Sequence, residues 1–157
     1  GKVSSVGDAK YADNSLRSDV IGWFDSSEEG WPYGRALDAY LLKLGTVVSE
    51  LGKVVPELKC ITSRSKAMVA CYPGGGARYI KHVDNDGFHP LCRTRVLTVL
   101  IYLNEGWQPG DGGEICLYQA DDNQCMRRKV EPLQSRMVMF WSDWRTPHEV
   151  MAAQKMR

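Results

Sequence analysis

ARYIKHVD, residues 77–84, is the stretch on which the fold turns. It follows the turn residues PGGG (73–76) and precedes the loop NDGFHPLC (85–92), so it reads as a strand between turns. Period-2 alternation places His82 and Asp84 on one face, together with Ile80, while Val83 points the other way into packing. Tyr79 falls on the opposite parity. An imidazole beside a carboxylate is either two thirds of a metal site or a pair of polar residues on a solvated face. A His-x-Asp alone is common by chance and does not decide between them.

Outward from this strand the chain reads as β. AMVACY (67–72) precedes it, and RVLTVLIYLN (95–104) follows as a nearly continuous apolar run, as a strand buried on both faces would be. The turn residues EGWQPGDGG (105–113) lead into EICLYQ (114–119), MRRKVEP (126–132), RMVMFW (136–141) and a last strand around PHEVM (147–151). Residues 36–51, ALDAYLLKLGTVVSEL, carry apolar side chains at 37, 40, 41, 44, 47, 48 and 51, the stripe of an amphipathic helix, and Pro56 limits its continuation. Residues 1–30 read as a long surface loop with one apolar knot, VIGWF (20–24). The predicted fold class is mainly β with a flanking, buttressing helix at 36–51: a double-stranded β-helix (jelly roll) forming a single domain over 1–157. Both ends are expected to be truncated, because Arg157 falls inside the strand that starts near His148 and residue 1 opens directly onto a loop.

Composition excludes several function classes. With 157 residues, 43% hydrophobic and 25% charged, the chain can bury a core of its own. A net charge of +1 offers no footprint for a nucleic-acid backbone or an acidic membrane. No apolar run approaches the roughly 20 residues of a membrane span, and no signal segment opens the chain. Cys60, Cys71, Cys92, Cys116 and Cys125 form an odd, scattered set without a CxxC pair, which points to a reducing compartment, cytoplasm or nucleus.

A third ligand would complete the His82–Asp84 pair. Two histidines and a carboxylate with open positions form the environment of a non-haem Fe(II) oxygenase. The remaining histidines are His89, in a Gly- and Pro-containing loop close to Asp84, and His148, held at a strand start by Pro147. Spacing favours His148 and leaves His89 as the alternative. PGGG is not a phosphate loop, since neither Lys-Ser/Thr nor a helix follows it.

KAMVACYPGGGARYIKHVDN (66–85), IYLNEGW (101–107), GG (112–113) and FWSDWRTPHEV (140–150), with Arg157 beyond them, resemble the prolyl 4-hydroxylases that modify hypoxia-inducible factor, a branch of the 2-oxoglutarate oxygenases. The resemblance covers nearly the whole chain in the same order. It implies His82, Asp84 and His148 as Fe(II) ligands. It implies Arg157 as the clamp on the distal carboxylate of 2-oxoglutarate, a role in which a guanidinium fork suits a carboxylate better than the lysine of collagen-modifying relatives does. Tyr102 would donate to the same carboxylate, Tyr72 would sit beside the chelating end, and Met68, Ile115 and Val150 would line the pocket. Tyr79 and Arg95 would face the target proline. Residues 1–22 resemble the family's mobile substrate-covering loop, with Arg17 and Asp19 near its closing end and Trp23 just inside.

Without the family, the tyrosines could be ordinary strand residues with one wet end, and Arg157 a terminal charge. The implied cofactors are Fe(II), 2-oxoglutarate, O2 and ascorbate as reductant. The implied partner is a proline-containing protein or peptide met by a monomer, with no nucleic acid and no membrane. The substrate would be hypoxia-inducible factor in oxygen sensing or a ubiquitin-ligase adaptor subunit. A nucleobase-directed oxygenase and a non-catalytic jelly-roll module are the competing classes. Two departures stand out: the loop 85–94 is longer than the relatives' usual turn, and the family's strand after Arg157 is absent.

Overall fold

Short apolar runs separated by glycine-bearing turns produce eight strands and one long helix in the computed structural model, which describes residues 16–24, 34–121 and 125–157. In chain order these are β1 (Val20–Phe24), α1 (Gly34–Leu51), a 3-10 turn (Pro56–Cys60), β2 (Ala67–Cys71), β3 (Ala77–His82), β4 (Leu97–Ile101), β5 (Ile115–Tyr118), β6 (Met126–Val130), β7 (Met137–Trp141) and β8 (His148–Ala153). Residues 1–15 of the expected covering loop lie outside the described residues. The chain divides into two units, Ile21–Val69 and a larger one made of Ala70–Arg157 with the described residues up to Val20.

β1 and β2 pair as a two-stranded sheet. The positions of α1 that are half-buried include 37, 41, 44, 48 and 51, the spacing the apolar stripe predicts. Tyr40 and Val47, also in that stripe, are 38% and 42% exposed. Pro56 opens the 3-10 turn, whose Leu58 is buried.

The larger unit contains a four-stranded antiparallel sheet ordered β3-β8-β5-β6 and a two-stranded antiparallel sheet, β4-β7. Ile115, Tyr102 and Phe140 are buried between them, with Leu100, Leu117, Val130 and Val138 packed around. Side chains from both sheets thus fill one core, which is the predicted jelly-roll arrangement. Each large apolar side chain fully buried there contributes on the order of 1.5–3 kcal/mol. A second cluster, Tyr72, Ala77 and Ala153, has Ala70, Tyr79 and Val150 against it.

Three expectations are corrected. The run 95–104 forms only the five-residue β4, every residue part-buried, and Leu103 beyond it is 74% exposed. Among the described residues β4 bonds to β7 alone, and none of its residues is fully buried, so it is not the deeply buried strand the apolar run suggests. Asp84 does not share the strand with His82, because β3 ends at His82 and Asp84 lies in the bend beyond. Arg157 is not inside the last strand: β8 ends at Ala153, a bend follows, and Arg157 then exchanges both backbone hydrogen bonds with Tyr72, at 2.8 and 2.9 Å.

Strict alternation fails in β3 for a visible reason. Tyr79 is opposite Val150 and His82 opposite His148, so three steps on β3 match two on β8. The extra residue is a bulge, and it turns Tyr79 onto the face of His82, against which its ring stacks at 3.6 Å.

Glycine is required where Gly112 bridges to Ala153 with φ +72°, since a Cβ there would stand 2.0 Å from the Ala152 carbonyl oxygen. Gly106 has a similar φ, +65°, but faces open space. Gly112→Ala is expected to cost more than about 2 kcal/mol and Gly106→Ala roughly 1–2 kcal/mol, as urea denaturation midpoints will show. Equal costs would mean that the close approach at Gly112 contributes nothing.

Candidate functional site

His82 comes from the end of β3, His148 from the start of β8, and Asp84 from the bend that leaves β3. The three offer ligand atoms that all lie within 4.8 Å of one another. Each imidazole is oriented from its far side. His82 Nδ1 lies 2.8 Å from the Ile80 carbonyl and His148 Nδ1 lies 3.1 Å from the Thr146 carbonyl. A carbonyl only accepts, so both Nδ1 atoms carry the proton and both Nε2 lone pairs face inward. They stand 3.7 and 3.8 Å from the two oxygens of Asp84.

These separations are too long for hydrogen bonds, and no proton is available between lone pairs. Ligand atoms about 2.1 Å from one ion stand roughly 3–3.5 Å apart, so a small cation fits where the groups converge. Two nitrogens and one carboxylate, with no fourth His, Cys, Asp or Glu in the cluster among the described residues, form the set expected for non-haem Fe(II).

Burial raises the Asp84 carboxyl; protonated His82 and His148 and the bond from the Thr98 hydroxyl bring its pKa down to about 2, and a cation held among the three would take the place of those imidazolium charges. His148, 4% exposed, has its pKa lowered by burial and by neighbouring His82, which favours the neutral ligand form. Phe140 packs against the His148 ring at 4.5 Å. His89, the alternative third ligand, sits in the exposed part of the loop, where its Nδ1 accepts from the Leu91 amide. Among the described residues it is not part of the cluster.

Arg157 supplies a second centre. Burial lowers its pKa, Tyr102, Tyr72 and Glu114 act on it to raise it, and its guanidinium lies 4.5 Å from the centre of the Tyr72 ring. Its Nε is buried without a hydrogen-bond partner in the structure. A buried, unspent guanidinium donor fits a carboxylate, the distal group of 2-oxoglutarate. Gly113 makes the space: a Cβ at this residue would stand 1.8 Å from Arg157 Nε. Tyr72 and Tyr102 are both buried, and burial drives their hydroxyls upward, the latter to about 12, so each remains a neutral donor.

Ile115 and Val150 are cross-strand partners, Ile115 fully buried. Tyr79 packs on the cluster that holds Tyr72 and stacks on His82, so contact runs from Arg157 through the two tyrosines to the His82–Asp84–His148 cluster.

Arg17 and Asp19 are engaged with each other and with β3. Arg17 donates to both Asp19 oxygens, at 2.7 and 2.5 Å, and lies 4.4 Å over the Tyr79 ring. The backbone of Leu16 and Ser18 bonds to Ile80 and Arg78, which fixes this segment along β3. Arg95 lies between the loop and β4, its carbonyl accepting from Asn85 Nδ2 at 2.7 Å. Met68, on β2, and Trp23, on β1, belong to the smaller unit and are 41% and 38% exposed.

Residues 67–157 match the family described as the 2OG-Fe(II) oxygenase superfamily. The chain belongs to this superfamily. Among relatives of this oxygenase chain is a hypoxia-inducible factor prolyl hydroxylase of Caenorhabditis elegans, 40% identical over 154 residues, covering 92% of this chain and 20% of that protein. Two solved structures are similar. A prolyl hydroxylase from Trichoplax adhaerens, in complex with a hypoxia-inducible factor peptide fragment, has a TM-score of 0.76 and 37% identity, covering 92% of this chain and 61% of that one. A Pseudomonas putida prolyl-4-hydroxylase has a TM-score of 0.71 and 31% identity, covering 92% and 70%. The oxygenase chain thus spans between a fifth and about half of the curated relatives it matches.

Sequence reasoning missed Thr98, Ser142 and the task of Gly113. Thr98 left a signal as the one hydroxyl within VLTVLIYL (96–103) other than that of Tyr102. Ser142 left none, because serine after a strand is an ordinary turn residue.

Chelator-stripped protein is expected to bind one Fe(II) or Mn(II) per chain by calorimetry, and a metal concentration 100 times Kd should stabilise it by about 2.7 kcal/mol in thermal melts. Asp84→Ala should abolish this gain and His89→Ala should leave it intact. Loss with His89→Ala would reinstate the discarded ligand.

Proposed function

We propose that this chain is the catalytic part of an Fe(II)- and 2-oxoglutarate-dependent hydroxylase that adds oxygen to C4 of a proline in a protein substrate, in the manner of oxygen sensing through hypoxia-inducible factor. The observation that carries the reading is the convergence of His82 Nε2, Asp84 and His148 Nε2, joined by packed side chains to a buried arginine with an unspent donor. His82, Asp84 and His148 would hold the iron. Arg157 and Tyr102 would bind the distal carboxylate of 2-oxoglutarate, with Tyr72, Ile115 and Val150 around it.

When bound, the iron supplies the O2 chemistry that converts 2-oxoglutarate to succinate and CO2 and delivers one oxygen atom to the substrate. The chain's own residues do the rest. Arg157 neutralises the cosubstrate's charge in a buried place, where a bidentate guanidinium fork orients a carboxylate better than a point charge does. Ile115 and Phe140 exclude water from the inner wall.

Tyr79, Arg95, Arg17 and Asp19 would meet the peptide. Ascorbate would restore the iron after uncoupled turnovers. All five cysteines are free thiols, in keeping with a reducing cytoplasm or nucleus as the address.

Incubation with Fe(II), 2-oxoglutarate, ascorbate and a panel of proline peptides should add the mass of one oxygen to proline in a target peptide, read by tandem mass spectrometry. Succinate formation with no modified proline in any peptide would redirect the assignment to another substrate class. Arg157→Lys and Gly113→Ala should each raise KM for 2-oxoglutarate about tenfold or more, a loss of at least 1.4 kcal/mol, with metal affinity unchanged. An unchanged KM in Arg157→Lys would remove that residue from the site.

A further inference from the structure

Asp84 stands outside any strand ladder, so nothing in the sheet fixes the rotation of its carboxylate. What fixes it is a chain of two hydroxyls. Thr98, on β4, donates to Asp84 Oδ2 at 2.6 Å, and its Oγ1 lies 2.8 Å from Ser142 Oγ. An ionised carboxylate only accepts, and a threonine hydroxyl has one proton to give. The Thr98 proton is therefore spent on Asp84, and Ser142 must donate to Thr98. The direction runs from Ser142 through Thr98 to Asp84.

The origin of this relay is immobile. Ser142 is fully buried, its amide donates to the Val96 carbonyl at 3.0 Å, and its carbonyl accepts the Asn85 amide at 2.8 Å. Asn85 is the residue after Asp84, so the relay closes a ring that joins the exit of β3, the entry of β4 and the exit of β7. Thr98 itself is opposite Phe140 in a regular ladder, on the same face as Leu100 and its partner Val138. A hydroxyl among these apolar neighbours has a use only toward Asp84 and Ser142.

We propose that Ser142 and Thr98 are positioning residues for the metal: they lock the carboxylate of Asp84 so that Oδ2 is committed to Thr98 and Oδ1 is presented as a single-oxygen ligand. A freely rotating carboxylate can offer both oxygens to one ion and occupy a position that 2-oxoglutarate needs. Hydroxyls donating in series also strengthen one another, which makes a two-member relay a stiffer constraint than either bond alone. The inference rests on the metal assignment made above.

The test is Co(II) or Fe(II) affinity by calorimetry, with the visible absorption that follows addition of 2-oxoglutarate to the Fe(II) protein as a second readout. Thr98→Val keeps the volume and removes the hydroxyl. It should weaken metal binding tenfold to a hundredfold and shift the absorption, with Thr98→Ser returning affinity to within about threefold of the parent. Ser142→Ala should give an intermediate loss, and the Thr98→Val/Ser142→Ala double variant should bind no more weakly than Thr98→Val, because both act through one hydroxyl. Parent affinity in Thr98→Val, or additive losses in the double variant, would overturn the relay.

Should Thr98→Val fail to fold by circular dichroism, Ser142→Ala and Thr98→Ser decide the matter: the first must weaken metal binding and the second must not. Failure of the unmodified protein to bind metal is a different outcome and strikes the metal assignment itself.

Discussion

The site depends on one mismatch of register. Three steps along β3, from Tyr79 to His82, are matched by two along β8, from Val150 to His148. A regular ladder would keep Tyr79 and His82 on opposite faces. The bulge brings them together, sets the His82 ring 4.3 Å from that of His148, and lets the chain leave the sheet in time for Asp84 to turn back toward both. The unpaired extra residue is the cost of this arrangement. The stack of Arg17 on Tyr79 on His82, on the side of β3 where the 16–18 segment pairs, holds the distorted strand in place. The Arg17–Asp19 pair is half-buried and charge-assisted, and its larger consequence is geometric: it keeps a guanidinium flat over the tyrosine.

The sequence shows the ingredients of this site more readily than their placement. Alternation and turn residues locate most strands to within two or three residues, since β-branched runs broken by glycine and proline leave few other readings. His82, Asp84 and His148 are legible as chemistry. Their grouping on a shared strand face is not, because strict alternation assumes a ladder without bulges, and Asp84 is placed by the bend after β3 instead. Tyr79 is the clearest case. Its parity argues against its reaching His82, and the bulge removes the objection. The extent of β4 is overestimated for another reason: RVLTVLIYLN is nearly continuously apolar, and composition alone does not mark where a strand stops pairing.

Arg157 and Gly113 illustrate a constraint that no local pattern carries. The arginine is placed by a pair of backbone hydrogen bonds to Tyr72, far away in sequence, and its guanidinium fills the space that the missing side chain of Gly113 leaves open. A glycine pair in a turn reads as conformational freedom, and Gly112 and Gly113 do have positive φ. Their second property is absence of volume: Gly112 lets the backbone approach Ala152, and Gly113 admits the guanidinium. Buried without a partner on Nε, that cation carries a desolvation cost that an incoming anionic ligand would relieve.

The loop from 85 to 94 has a narrow neck. Asn85 Nδ2 reaches the carbonyls of Arg93 at 3.2 Å and Arg95 at 2.7 Å, while its own amide is held by Ser142. One side chain therefore ties the outgoing and returning strands together at the root, and Phe88 and Leu91, 88% and 80% exposed, stand beyond the knot. Mechanically the loop is a pendant: what is inserted or exchanged past Asn85 cannot pull on Asp84. The entropy of closing a longer pendant grows only as the logarithm of its length, so the region next to Asp84 can diversify at small cost to the scaffold.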